Sequence, residues 1–278
     1  MGRKLFCEIS PLTYLISVWK CRMVRRVKDF FSGDVLARTR SEEILPETIY
    51  RHNSLIRRRL GNVNMELQDN KAVNLALAAP KVSHVLIRPN EVFSFWNLVG
   101  HPTEKKGYKN GLVISTGQVG EGIGGGMCQF TNLIHWMVLH TPMEIVERHH
   151  HDSFDLFPDF NRQVPFGTGT SIFYNYLDYR FKNTTSNTYQ LIVYTTDEYL
   201  CGEIRATVKQ ENSYHIYVKD ERFVKEDRDV YRTGSVYRRI IDKRTGETIQ
   251  DEPIQSYHAK VMYDFTGVIS NESSEFTI

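Results

Sequence analysis

Cysteine is scarce in this chain: four in 278 residues, at positions 7, 21, 128 and 201, with no Cys-x-x-Cys pair. That usage excludes the disulfide framework of a small secreted protein and the paired-cysteine pattern of a structural zinc site. Long apolar runs are missing too. Nothing approaches the roughly eighteen consecutive apolar residues of a spanning helix. Charge of one sign is not in excess, since 35 lysines and arginines face 33 acidic residues for a formal net charge of +2. A general nucleic-acid binder needs a large positive surplus, so nucleic acid is excluded as a partner class. The apolar stretch from Leu12 to Trp19 is brief, is broken by Thr13 and Ser17, and runs into Lys20, Arg22, Arg25 and Arg26 without a small-residue cleavage site. A cleaved export signal is therefore not expected, and the expected location is the cytoplasm, peripheral to the membrane. What remains is ordinary globular composition, 41% hydrophobic and 24% charged, enough to build a core without staples.

The first 60 residues hold 13 lysines and arginines against 6 acidic residues. Ser10 and Pro11 are the cap and first-turn residues of a helix. Leu12, Leu15, Ile16, Trp19, Met23, Val27, Phe30 and Phe31 follow at helical spacing, with Arg22, Arg25 and Lys28 on the other side. Such a helix either packs on its own core or, through residues 11–31, contacts an anionic membrane surface. Residues 46–60 and 66–79 also read as helical, the second ending at Ala79-Pro80. From residue 82 the pattern alternates. Val82–Arg88 and Glu91–Phe95 read as strands, and Lys109-Asn110-Gly111 as a hairpin turn into Leu112–Ser115. A helix is expected over 128–140, and strand-like runs recur at 204–208, 214–218, 236–241 and 258–263. The expected fold class is α+β: a helical head (1–80), a mixed α/β centre (81–203) with a Cys-bearing helix on antiparallel strands, and a β-rich extension (204–278).

The chemistry-bearing residues lie between Arg88 and Asn183. Five of the seven residues from Gly120 to Gly126 are glycine, and Met127-Cys128-Gln129 follow directly. Glycine at that density marks a backbone in unusual torsions or in close approach to something. Phe130, Leu133, Ile134 and Met137 then trace a buried helix face, which puts Cys128 at the first helical turn. Free amides and the positive dipole end favour thiolate there, and amides of Gly126, Met127 and Cys128 could support an oxyanion, aided by Gln118. Glu144–Val146 leads into Arg148-His149-His150-His151-Asp152, and in an extended chain His149 and His151 share a face. Ser171–Phe181 alternates as a further strand carrying Asn175 and Asp178, either of which could orient an imidazole. Cysteine at a helix start, histidine on the next strand and Asp or Asn on the one after is the order of papain-like thiol hydrolases and transferases. Zinc held by His149 and His151 with Cys128 or Asp178 is the rival chemistry.

Several segments in order resemble the VanW family: Pro89-Asn90-Glu91-Val92-Phe93-Ser94-Phe95, Gly107-Tyr108, Gly124-Gly125-Gly126-Met127-Cys128-Gln129, Val146-Glu147-Arg148-His149-x-His151 and Tyr179-x-Phe181-x-Asn183. The resemblance spans roughly residues 85–200. It implies a setting in glycopeptide resistance or bacterial cell-envelope metabolism, with a peptidoglycan precursor or envelope-related ligand as partner. Cys128, Gln129, His149 and His151 fall on motif positions. The chain departs from the family where many members carry Asp-Ala-Thr-Val, since Gly169-Thr170-Ser171-Ile172 stands there instead. Asp178 is then the expected third member of a Cys128–His151 relay, with His149 in reserve. Gly124, Gly125, Gly126, Met127 and Gln129 are the expected substrate cradle. The competing expectation is a non-catalytic envelope-associated binding module, and no resident cofactor other than zinc is foreseen.

Overall fold

The computed structural model describes residues 5–58, 64–115, 118–150, 153–158 and 163–264. Helix α1 (Pro11–Phe31) starts in a capping box: Ser10 Oγ accepts from the Thr13 N–H and Thr13 Oγ1 accepts from the Ser10 N–H. Strands β1 (Val35–Leu36) and β2 (Glu47–Leu55) follow. The expected helix over 46–60 is thus a strand among the described residues. β2 alternates half-buried and exposed side chains and pairs antiparallel with a strand about 150 residues downstream. Long-range pairing of Thr48 and Tyr50 with Arg205 and Ile204 overrides local helical spacing.

Helix α2 (Met65–Val82) is capped by Asn64, whose Oδ1 accepts from the Glu66 N–H, and it runs through Pro80 into its last turn instead of stopping there. Strands β3 (Val85–Ile87) and β4 (Glu91–Ser94) and the short helix α3 (Phe95–Val99) come next. Asn110-Gly111 opens strand β5 (Asn110–Ser115) and is not the hairpin turn. β5 pairs with β6 (Gln118–Ile123), so part of the glycine-rich run is itself strand. Helix α4 (Met127–Leu139) carries Cys128. Strands β7 (Glu144–Glu147), β8 (Phe154–Asp155), β9 (Arg180–Lys182), β10 (Tyr189–Thr195) and β11 (Tyr199–Ala206) complete the centre. Three long strands close the chain: β12 (Asn212–Glu226), β13 (Asp229–Asp242) and β14 (Thr248–Val261).

The strands form sheets of order β1-β4-β9-β7, β2-β11-β10-β3 and β12-β13-β14-β8, beside the β5-β6 hairpin. Pairing is antiparallel except for β1 with β4 and β14 with β8. This is the expected α+β class with a β-rich C-terminal part. The main core surrounds α4, where Phe130, Ile134 and Met137 are fully buried against Phe93, Phe95, Tyr179 and Phe181. Trp136 and Leu139, also on α4, pack with Phe166, Val236, Tyr257 and Ala259 in a second cluster under the C-terminal sheet. α4 therefore joins both halves. Among the described residues no helix is long and apolar enough to cross a membrane.

Candidate functional site

The glycine run is shaped by contacts within the chain. Gly126, at φ 100°, caps α4, and a Cβ there would overlap the Lys71 side chain of α2. A Cβ on Gly125 would overlap the Gly111 backbone of β5. Asn74 bolts this junction. Its Nδ2 donates to the carbonyls of Lys109 and Gly125, both at 2.9 Å, and its Oδ1 accepts from the Lys109 N–H at 2.8 Å. Glycine is required here because two backbones and a lysine stem meet, which is a packing demand. The same holds for Gln129, whose Nε2 donates to Ser54 Oγ and the Leu55 carbonyl of β2. Met127 is buried in the main core, and Gly124 packs on Pro102.

Cys128 is the second residue of α4 and is partly exposed as a residue. Burial of the sulfur pushes its pKa up, and bonds from the Ile172 and Cys128 amides offset this only in part. The helix-start effect exists, but desolvation outweighs it. Gln118 lies at the far end of β6, opposite Ser115, about 17 Å along the strand from Ile123. It is not part of the α4 N-terminus, and its side chain lies outside the described residues.

Beyond β7 the chain alternates, and its two faces do different work. Glu147 and His149 face α1. Glu147 accepts both guanidinium nitrogens of Arg25, the Asp178 N–H at 2.9 Å and His149 Nε2 at 3.0 Å. Burial acts to raise the Glu147 pKa, but these donors more than offset it and hold the carboxyl below the usual range. The His149 imidazole is thus committed to a carboxylate. Its carbonyl accepts from the Ser171 N–H at 2.6 Å, so His149 and Cys128 approach the same Ser171-Ile172 segment through backbone. His151 and Asp152 lie outside the described residues.

Among the described residues no imidazole meets Asp178. Its oxygens accept from Ser94 Oγ at 2.6 Å, the Trp96 and Tyr179 N–H groups, and Arg180 Nε at 2.8 Å. Burial pushes its pKa up despite Arg180 and these donors. The expected strand over Ser171–Phe181 is instead a turn, with Phe173 bridged to Leu177 and Asn175 at φ 60°, and β9 begins only at Arg180. Among the described residues no group of three or more His, Cys, Asp or Glu is arranged to hold a metal.

Val146, Arg148 and His150 face the other way, into a cavity of about 480 Å³ between β7 and the β13–β14 pair. Arg238, Glu252 and Gln255 line its opposite wall. Arg238 Nε donates to Glu252 Oε1 at 2.6 Å. Arg148 holds the floor, donating to the carbonyls of Gly167 and Gly169. Gly169 opens the segment that departs from the family pattern, and a Cβ there would lie 2.8 Å from His150 Nε2. The imidazole occupies that space here.

Two further groups escaped the sequence reading. Lys71 is buried beside Gly126, with Nζ donating to Gln68 Oε1 at 2.7 Å, and burial together with Arg58 and Arg57 lowers its pKa to about 7. The signal was present: Gln68, Lys71 and Asn74 sit on the buried stripe of α2 marked by Leu67, Leu75 and Ala78. His135 is buried near Arg148 and Arg238, with Nδ1 3.1 Å from Tyr179 Oη and no partner for Nε2 among the described residues.

Fold and site together define an α+β protein whose glycine-rich turn is a packing joint and whose Arg-His segment after β7 lines a polar cavity. The chain belongs to the VanW family. It is 33% identical over 233 residues to the Vancomycin B-type resistance protein VanW of Enterococcus faecalis (strain ATCC 700802 / V583), covering 84% of each chain. The family model described as VanW like protein matches residues 70–205. Uncharacterized protein YoaR of Bacillus subtilis (strain 168) is 32% identical over 117 residues, 41% of this chain and 36% of that one. No solved structure matches.

Proposed function

We propose that this chain is a binding protein of the bacterial cell envelope serving glycopeptide resistance, and that its ligand is a peptidoglycan precursor or stem peptide. The enterococcal relative's name supplies the setting. The observation that carries the reading is the cavity where Arg148 and His150, just after β7, meet Arg238, Glu252 and Gln255. Arg148 on one wall and the Arg238–Glu252 pair on the other, with Met143, Ile145 and Ile254 between them, suit a peptide bearing both carboxylate and amine. Thiol catalysis has weaker support, because the Cys128 sulfur is desolvated and the His149 ring and the Asp178 oxygens are engaged elsewhere.

The test is titration of a soluble stem peptide into the full chain by calorimetry, with mass spectrometry of the recovered peptide. Binding that weakens at least about tenfold in Glu252→Gln or Gln255→Ala, with the peptide returned intact, supports the proposal. Absence of binding at millimolar peptide overturns it. Cleavage that disappears in Cys128→Ala would overturn it in favour of the thiol enzyme.

A further inference from the structure

The apolar face of α1 points away from the protein. No residue of α1 is buried. Leu12, Trp19 and Phe30 are 67%, 65% and 81% exposed, and Phe31 beside them 79%. At about 100° per residue, Leu12, Ile16, Trp19, Met23, Val27 and Phe30 fall within an arc of about 80°.

The face that meets the body is ionic. Arg25 pairs with Glu147 and donates to the Tyr176 carbonyl at 3.0 Å. Asp29 receives both terminal nitrogens of Arg180, at 2.7 and 3.0 Å. The Arg22 guanidinium lies 5.0 Å from the centre of the Tyr174 ring. Rolling the apolar arc inward would break all of these and bury it against charged groups. The exposed arc is therefore the outward face of a docked helix.

We propose that α1 is an interfacial anchor that lies on an anionic lipid surface. Charge and shape on the page select this occupant. Lys20 and Arg26 are exposed at the two edges of the apolar arc, where they can meet lipid phosphates while the arc enters the acyl boundary. Trp19 suits the headgroup level, and Phe30 and Phe31 suit the apolar face of an in-plane helix. The helix of 21 residues is not apolar enough to cross, so it lies in the plane. The anchor sits on residues separate from the cavity and holds whether or not the peptide reading survives.

The full chain is sedimented with vesicles of phosphatidylcholine alone or mixed with phosphatidylglycerol. Binding is expected to the mixed vesicles, weakening as salt is raised. Tryptophan emission shifts to the blue on binding, and Trp19 reports it because Trp96 and Trp136 are already buried. Phe30→Glu with Phe31→Glu should weaken binding at least about tenfold, and Lys20→Glu with Arg26→Glu should abolish the preference for anionic lipid. Melting curves verify that each double variant is folded, and either one alone suffices as a test. A wild-type chain that stays in the supernatant, or variants that bind as well as it does, overturns the proposal. Concentration-dependent dimers without vesicle binding overturn it as well and assign the face to a second copy of the chain.

Discussion

The Lys71 ammonium lies on the buried stripe of α2, four residues from Leu67 and four from Leu75, and finds Gln68 but no carboxylate among the described residues. Its pKa falls from 10.5 to about 7, through burial and then Arg58 and Arg57. With the folded value depressed, the unfolded chain binds more protons between pH 7 and 10.5, so this group makes stability rise with pH across that window. Below about pH 7 the full cost of a buried charge applies. Lys71→Met should stabilise the protein by roughly 2–4 kcal/mol at pH 6, with the gain shrinking toward pH 9. Urea unfolding at the two pH values checks this, and an unchanged midpoint would mean that Nζ reaches water. The same residue bears on the cradle expected at Gly126, since Lys71 packs against it. A glycine run looks alike in sequence whether the backbone meets a ligand or the chain's own atoms, and what fills the space here, Lys71 and Gly111, is distant in sequence. Cys128 was placed correctly at the helix start. Its desolvation was not readable, because Ile172 and its neighbours arrive from another part of the chain.

At the level of elements, local signals were legible where they were covalent neighbours. Ser10-Pro11 started α1 as read, and the turn before Gly246, at φ 75°, separates β13 from β14 as alternation implied. Which side of α1 faces the protein was not legible, since a helical wheel shows two faces and not which one the body contacts. Partners from distant segments decide it: Glu147, Tyr176 and Arg180. If those polar contacts alone hold α1, it should open separately from the core. Arg25→Ala removes the bidentate pair with Glu147, a change worth roughly 1–3 kcal/mol for a largely buried charged hydrogen bond. Amide exchange across residues 12–31 should then quicken about tenfold or more while the amides of α4 keep their protection. Equal loss of protection in α1 and α4 would instead make the latch part of one cooperative unit.

The α+β class was legible from composition and from the change in periodicity near residue 82, but the joining of centre and C-terminal sheet was not. That junction rests on Trp136 and Leu139 of α4 meeting Phe166, Val236 and Tyr257. It carries a cost in acid, because α4 and the residue that caps its C-terminus hold two histidines kept neutral. His140 stacks on Tyr50 at 3.7 Å, and burial, with smaller contributions from His52, His215 and Arg238, lowers its pKa to about 4 from an ordinary 6.5. His135, fully buried near Arg148, His150 and Arg238, is driven well below 6.5 in the same direction. Both folded values are depressed, so the unfolded chain takes up protons that the folded chain refuses as pH drops below 6.5. Stability is fully present above that value and is lost progressively toward pH 4, by roughly 3 kcal/mol from His140 alone. Asp178 acts in the opposite sense, since its raised pKa lets the folded state take a proton first. Urea midpoints at pH 7, 5.5 and 4.5 should therefore fall more steeply in the wild type than in His140→Phe, which keeps an aromatic ring against Tyr50 but has nothing to protonate. A wild-type midpoint that stays level to pH 4.5 would mean that both imidazoles accept protons in place and that water reaches the junction α4 is required to seal.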